Sequence, residues 1–249
     1  MNDNRSGVTI ITGAAGTIGS AVADALADDL GALVLVDRDP DGLAAAAEKL
    51  SDRVDIVTVA ADVTSEADVA RYVEVAGSHG EITGFVNNAG IEGWIGPLAD
   101  YPGPAFDAVL AVNVKGVFLG LKHALRRMNS GGSVVNMAST AGLRGGANMA
   151  AYVASKHAVV GLTRAAAMEA ARAGIRVNAV CPAGVEGRMI ESIQSSMSVT
   201  APAGDGLSQK PMDRLARPDE IAASVRFLLS TDSSFITGET LAVDGGRTA

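Results

Sequence analysis

Short apolar runs, separated by longer stretches with apolar residues at helical spacing, recur along almost the whole 249-residue chain. The runs at 8–12, 32–36, 54–59, 82–86, 133–137, 175–180 and 240–243 are rich in Val, Ile and Leu, as expected of strands buried on both faces. Ala- and Leu-rich segments such as 20–26 lie between them and read as helices. Regular strand–helix alternation implies right-handed crossovers and a parallel sheet covered by helices on both faces. The expected class is therefore α/β, with a ligand crevice at the carboxyl ends of the strands. Gly13, Asp37, Asp62, Asn88, Ser139 and Pro182 all fall just past such ends. Chance scatter of polar residues would not favour one edge of a sheet.

The first strand runs straight into Gly13-Ala-Ala-Gly16-Thr-Ile-Gly19, followed by a helical segment. Glycines placed between a strand and a helix let the backbone approach a pyrophosphate, and the helix amino terminus offers free N–H groups to the anion. A strand-to-helix turn with glycines for close packing is the plainer reading of the same residues. Eighteen residues past Gly19 the second strand ends in Asp37, where a dinucleotide fold places the carboxylate that binds the adenosine ribose hydroxyls. A carboxylate about 4 Å from a 2′-phosphate costs several kcal/mol at an effective dielectric near ~20, roughly two to three decades in affinity. Arg38 could recruit that phosphate, but it can equally pack on the adenine, so Asp37 decides and NAD is expected over NADP.

Composition fits one domain spanning residues 1–249. A hydrophobic fraction of 48% with only 4% aromatic residues leaves helix-on-sheet packing to Ala, Val, Leu and Ile. The net charge of −8 argues against a nucleic-acid partner, which needs clustered Lys and Arg. A single cysteine, Cys181, cannot form an intramolecular disulfide and reads as a small buried hydrophobe. The polar start at residues 1–7 lacks an export signal, and the most apolar long stretch, 109–121, is interrupted by Asn113 and Lys115. No membrane partner is expected, and the expected compartment is cytoplasmic. No metal ligand set is assigned.

Tyr152-Val-Ala-Ser-Lys156 places a phenol and an ammonium four residues apart, on one face of a helix. A lysine so placed is expected to lower the phenol's pKa from about 10, allowing proton exchange with an alcohol near neutral pH. Taken singly, Ser139 could be a helix cap, Asp62 could cap the helix that follows it, and Asn113 could be a poor helix former at a kink.

Together with Asn87-Asn88-Ala89-Gly90 after the fourth strand, and with 13 residues between Ser139 and Tyr152, these features make the chain resemble the short-chain dehydrogenases/reductases (SDR) from Val8 to Gly246. The resemblance implies a Rossmann-like doubly wound sheet of about seven strands, a homotetramer, and hydride transfer between a nicotinamide and a secondary alcohol or ketone. It implies roles for Ser139, Tyr152 and Lys156 as the catalytic set, and for Asn113 as holder of a water linking Lys156 to solvent. It further implies that Gly13, Thr17, Ile18 and Gly19 cradle the pyrophosphate, and that Asp37 and Arg38 meet the adenosine. Asp62 and Val63 would border the adenine and Asn88 the adenosine side, Val185 would meet the carboxamide, and Lys156 would bind the nicotinamide ribose beside Tyr152.

Two positions depart from the family pattern. Thr17 stands at the middle glycine of the turn, and Gly187 stands where a threonine usually follows the sixth strand, after Pro182-Ala183-Gly184 in place of Pro-Gly. The glycine spacing is closer to that of NAD-using epimerases and dehydratases, which leaves that activity as an alternative beside a non-catalytic dinucleotide sensor. Residues 186–214, rich in Ser, Met, Gly and Pro with little periodicity, read as a substrate-lid loop. Met189, Met197, Trp94, Leu143 and Met149 are the expected apolar pocket wall, suited to a hydrophobic, cyclic or aromatic substrate.

Overall fold

The computed structural model describes residues 7–200 and 211–249, with side chains described except at 197–200. Seven strands form one sheet: β1 (Gly7–Thr12), β2 (Ala32–Asp37), β3 (Asp55–Ala60), β4 (Glu81–Asn87), β5 (Ser133–Met137), β6 (Arg176–Pro182) and β7 (Thr240–Val243). Their order is β3-β2-β1-β4-β5-β6-β7, parallel throughout. Strand order reverses beside β1, so the chain leaves β1 and β4 towards opposite faces of the sheet and a crevice opens between the two connections.

Alternate residues of the buried strands feed the two faces. Ile11, Leu33, Leu35, Val86 and Val180 pack with Val22 and Leu26 of α1 (Thr17–Leu26), Leu43 of α2 (Pro40–Glu48), and Ile221 and Val225 of α8 (Pro218–Leu229). Ile10, Val34, Val36, Phe85 and Val177 pack on the other face, with Tyr72 of α3 (Glu66–His79), Leu121 of α5 (Gly116–Ala124) and Val159 of α6 (Ala150–Ala170). The expected doubly wound arrangement is thus observed.

A polar ladder crosses the second face. Asn87 Nδ2 donates to Asn136 Oδ1, Asn136 Nδ2 donates to Thr163 Oγ1, and Thr163 Oγ1 donates to Val159 O, each within 2.9 Å. These buried groups satisfy one another and tie α6 to two neighbouring strands in a single rotation.

Two local features differ from simple expectation. Helix α4 (Gly103–Leu110) joins α5 through a π-helical turn at Ala111–Lys115, which carries the buried Asn113 inward. Helical structure runs through Gly103–Ala124, a stretch long and apolar enough to cross a membrane by length and composition, and its inner side packs on α3 and α6. Within the expected lid loop, residues Arg188–Thr200 form a helix, α7. Its Ser-rich sequence gains helical stability from docking Ile190 and Ile193, both buried, rather than from propensity. Residues 201–210 of that segment lie outside the described residues.

Candidate active site

The crevice is built first from backbone. Thr12 Oγ1, at the end of β1, accepts from Asn88 N at 3.0 Å and Ala89 N at 3.2 Å, and donates to Val86 O. Asn88 Nδ2 donates to Thr12 O and Gly13 O, so Asn88 holds the glycine turn from the β4 side. A Cβ at Gly19 would lie 2.1 Å from Gly13 O, and Gly13 has φ +65 and would meet Ala89 Cα at 2.9 Å, so only glycine fits these two positions. No side chain caps α1 at Gly16, which leaves first-turn N–H groups for an anion. A cradle that any Cβ would fill, at an uncapped helix start, fits the pyrophosphate of a dinucleotide.

Asp37 ends β2 beside this turn, its Oδ2 accepting from Ala15 N at 3.1 Å and its Oδ1 from Asp39 N at 3.2 Å. Two amides therefore fix the carboxylate in place, while Arg38 is exposed. Asp62 and Val63 follow β3, whose Ala60 pairs with Asp37. Asp62 Oδ1 accepts from Thr64 N at 2.8 Å, whereas α3 is capped by Ser65 rather than by Asp62. Val63 packs so closely on α5 that a Cβ at Gly116 would lie 3.0 Å from its Cγ2. Ile18 packs from α1 against the first-face core, and Val185 bridges to Ala216 beyond the end of β6.

Ser139, Tyr152 and Lys156 converge past the end of β5. Ser139 Oγ accepts from Ala141 N at 3.1 Å and so caps the turn Thr140–Gly142, while its side chain also hydrogen-bonds the Tyr152 phenol. One hydroxyl both caps the turn and bonds the phenol. Lys156 Nζ donates to Met137 O at 2.8 Å and lies 5.5 Å from the centroid of the Tyr152 ring. A Cβ at Gly142 would lie 2.6 Å from Lys156 O, so glycine there lets α6 close on the serine turn. Asn113 Oδ1 accepts from Ile91 N, and its Nδ2 donates to Ile91 O and Ser155 Oγ. Both its donor hydrogens are spent on the fold, leaving Oδ1, near Gly90 and Lys156, to receive a further bond.

The expected downward pull of Lys156 on the phenol is not what this structure gives. Burial pushes Tyr152 up to about 12, opposed by the Ser139 hydrogen bond and reinforced by the Glu92 carboxylate. Burial likewise pushes Lys156 down to about 8. Desolvation outweighs pairing here because the ammonium turns to a carbonyl 2.8 Å away, Met137 O.

The lysine carries a pH signature. In the unfolded chain it holds its proton up to about 10.5 and in the folded protein only to about 8, so between those values the unfolded state binds more protons. The burial penalty is fully present below pH 8 and is relieved as pH rises towards 10.5. In thermal melts of wild type and Lys156→Met, the wild-type melting temperature should gain several degrees on the variant between pH 7.5 and 10. A difference that stays constant with pH would contradict this.

The phenol sits in a small apolar cluster of Ile95, Met149, Tyr152 and Ile193, with Ala141 and Val153 against it. Of the expected pocket residues only Met149 joins it. Trp94 packs edge-on against Tyr101 at 5.2 Å, Leu143 and Met189 are exposed, and Met197 lies outside the described side chains. Ile193, Ile95, Thr12 and the Met137 carbonyl were not singled out from sequence. An i, i+3 pairing of Ile190 with Ile193 was the available signal for the first. Among the described residues, no group of three or more His, Cys, Asp or Glu could hold a metal ion.

A parallel sheet with a glycine cradle at its switch point, and a Ser, Tyr and Lys set at the same edge, defines a dinucleotide-binding α/β protein. A family model described as "Enoyl-(Acyl carrier protein) reductase" matches residues 13–248. The chain is 41% identical to levodione reductase of Leifsonia aquatica over 252 residues, covering 97% of this chain and 94% of that protein. It is 39% identical to cis-4-hydroxycyclohexanecarboxylate dehydrogenase of Sinomonas cyclohexanicum, covering 97% and 96% respectively. A crystal structure of NAD+-bound xylitol dehydrogenase superposes with a TM-score of 0.92 at 35% identity, covering 98% of this chain and 100% of that one. The chain belongs to the short-chain dehydrogenase/reductase family. These relatives are named as dehydrogenases and reductases, which favours the oxidoreductase reading over the epimerase, dehydratase and sensor alternatives.

Proposed function

We propose that this protein is an NAD-preferring oxidoreductase that interconverts a secondary alcohol and a ketone, with Tyr152 as the acid/base. The convergence of Ser139, Tyr152 and Lys156 beside the glycine cradle carries this reading. The bound nicotinamide supplies the hydride acceptor for oxidation and the donor for reduction. Tyr152 exchanges the proton at the substrate oxygen, and Ser139 orients that oxygen by a hydrogen bond. Lys156 binds the nicotinamide ribose, and Asn113 holds a water between Lys156 and solvent through its remaining Oδ1 lone pair. Gly13, Thr17, Ile18 and Gly19 hold the pyrophosphate, Asp37, Arg38, Asp62, Val63 and Asn88 shape the adenosine side, and Val185 the nicotinamide side.

The substrate is assigned as a hydrophobic ring ketone or alcohol. Ile95, Met149 and Ile193 around the phenol support this, as do the levodione and hydroxycyclohexanecarboxylate named for two relatives. Segment 186–214 is the substrate lid, and α7 lies within it. A homotetrameric, cytoplasmic protein without nucleic-acid or membrane partners completes the proposal. The outward apolar groove lined by Leu110, Val114, Phe118 and Leu162 supports contact between copies. Light scattering that gave a mass near the 25.1 kDa of one chain would sink the tetramer.

One assay tests the activity: a panel of ring and open-chain secondary alcohols and ketones, each with NAD and with NADP, followed at the reduced-nicotinamide absorbance. Turnover with NAD on at least one apolar ring substrate is expected. No net redox across the panel would overturn the reading.

A further inference from the structure

Thr17 and Gly187 are the two departures from the family pattern, 170 residues apart in sequence, and they meet in space. A Cβ at Gly187 would lie 2.7 Å from Thr17 Oγ1, 3.0 Å from its Cγ2 and 3.2 Å from its Cβ. The Thr17 side chain therefore fills the volume that a side chain at 187 would need. Because threonine is branched, turning χ1 only exchanges one branch for another in that space. Gly187 has φ +130, a conformation that strains other residues, and it immediately precedes α7, with Glu191 N donating to its carbonyl. Thr17 is the first residue of α1, at the mouth of the cradle.

We propose that Thr17 and Gly187 are a paired exchange, in which the hydroxyl offered to the nicotinamide half of the dinucleotide comes from the start of α1 instead of from the segment leading into α7. The inference rests on the cofactor reading above and goes beyond it. Thr17 would thus be a cofactor-binding residue whose side chain also packs against the segment leading into α7, and Gly187 is small because Thr17 is large.

The test uses five variants of the full chain, Thr17→Gly alone among them, with NADH affinity read by fluorescence titration and stability by thermal melts without cofactor. Thr17→Ser should bind NADH within about threefold of wild type, and Thr17→Val, which keeps the shape and loses the hydroxyl, should bind about tenfold more weakly. Gly187→Thr should lower both the melting temperature and the affinity. Adding Thr17→Gly should raise both relative to Gly187→Thr alone, although residue 187 keeps some backbone strain. Improvement of one variant by a second change that is harmful alone is the signature of the pair. Additive losses in the double variant, or wild-type affinity in Thr17→Val, would overturn the proposal while leaving the cofactor reading intact. Failure of wild type to bind NADH would sink both.

Discussion

Tyr152→Phe should lower kcat by about three orders of magnitude with NADH affinity unchanged. The substitution removes one oxygen and little else. The ring of Tyr152 is held by Ile95, Met149 and Ile193, contacts that phenylalanine keeps. Its hydroxyl bonds Ser139, and that serine retains the Ala141 amide as a partner, so no buried polar group is stranded. Steady-state kinetics on the best substrate of the panel, beside NADH titration and a melt, give the result. A kcat within tenfold of wild type, in a variant that still binds NADH, would mean that another group moves the proton.

Asp37→Ala should shift cofactor choice by about two orders of magnitude, measured as the ratio of kcat/KM with NAD to that with NADP. The size of the effect follows from how the carboxylate is held. Amides of Ala15 and Asp39 fix both oxygens, so the charge cannot swing away from an incoming 2′-phosphate. With alanine the repulsion vanishes and exposed Arg38 becomes the nearest charged neighbour in sequence, so NADP use should rise while NAD use falls. The same change leaves the Ala15 amide without its acceptor and should loosen the glycine turn. Asp37→Asn, which keeps an acceptor for one amide, separates these effects: it should relax the discrimination with a smaller loss of NAD affinity. An unchanged ratio in both variants would place cofactor choice elsewhere.

Much of this was readable in the sequence. Strands buried on both faces must be largely apolar, so β1, β2, β5 and β6 stand out, and the residues at or just past the end of each run mark the edge where ligands gather. Four-residue spacing within one helix was enough to bring Tyr152 and Lys156 together. Other features were hidden because they depend on contacts between distant segments. Helix α7 owes its stability to docking Ile190 and Ile193, so its own composition reads as a loop. The phenol's upward shift comes from burial, which spacing does not reveal, and the lysine spends its ammonium on a backbone carbonyl that no side-chain pattern announces. Thr17 and Gly187 are separate irregularities in sequence and neighbours in space.

The ladder from Asn87 through Asn136 to Thr163 has a consequence for engineering. Apolar replacement of all three would remove desolvated amides from the interior and could make the protein harder to melt. It would also delete directional bonds that, with the Lys156 bond to Met137 O, tell α6 how far to roll on the sheet. Selection for heat tolerance in this layer should therefore yield robust but sluggish enzymes, with the reacting oxygen a fraction of a turn out of line.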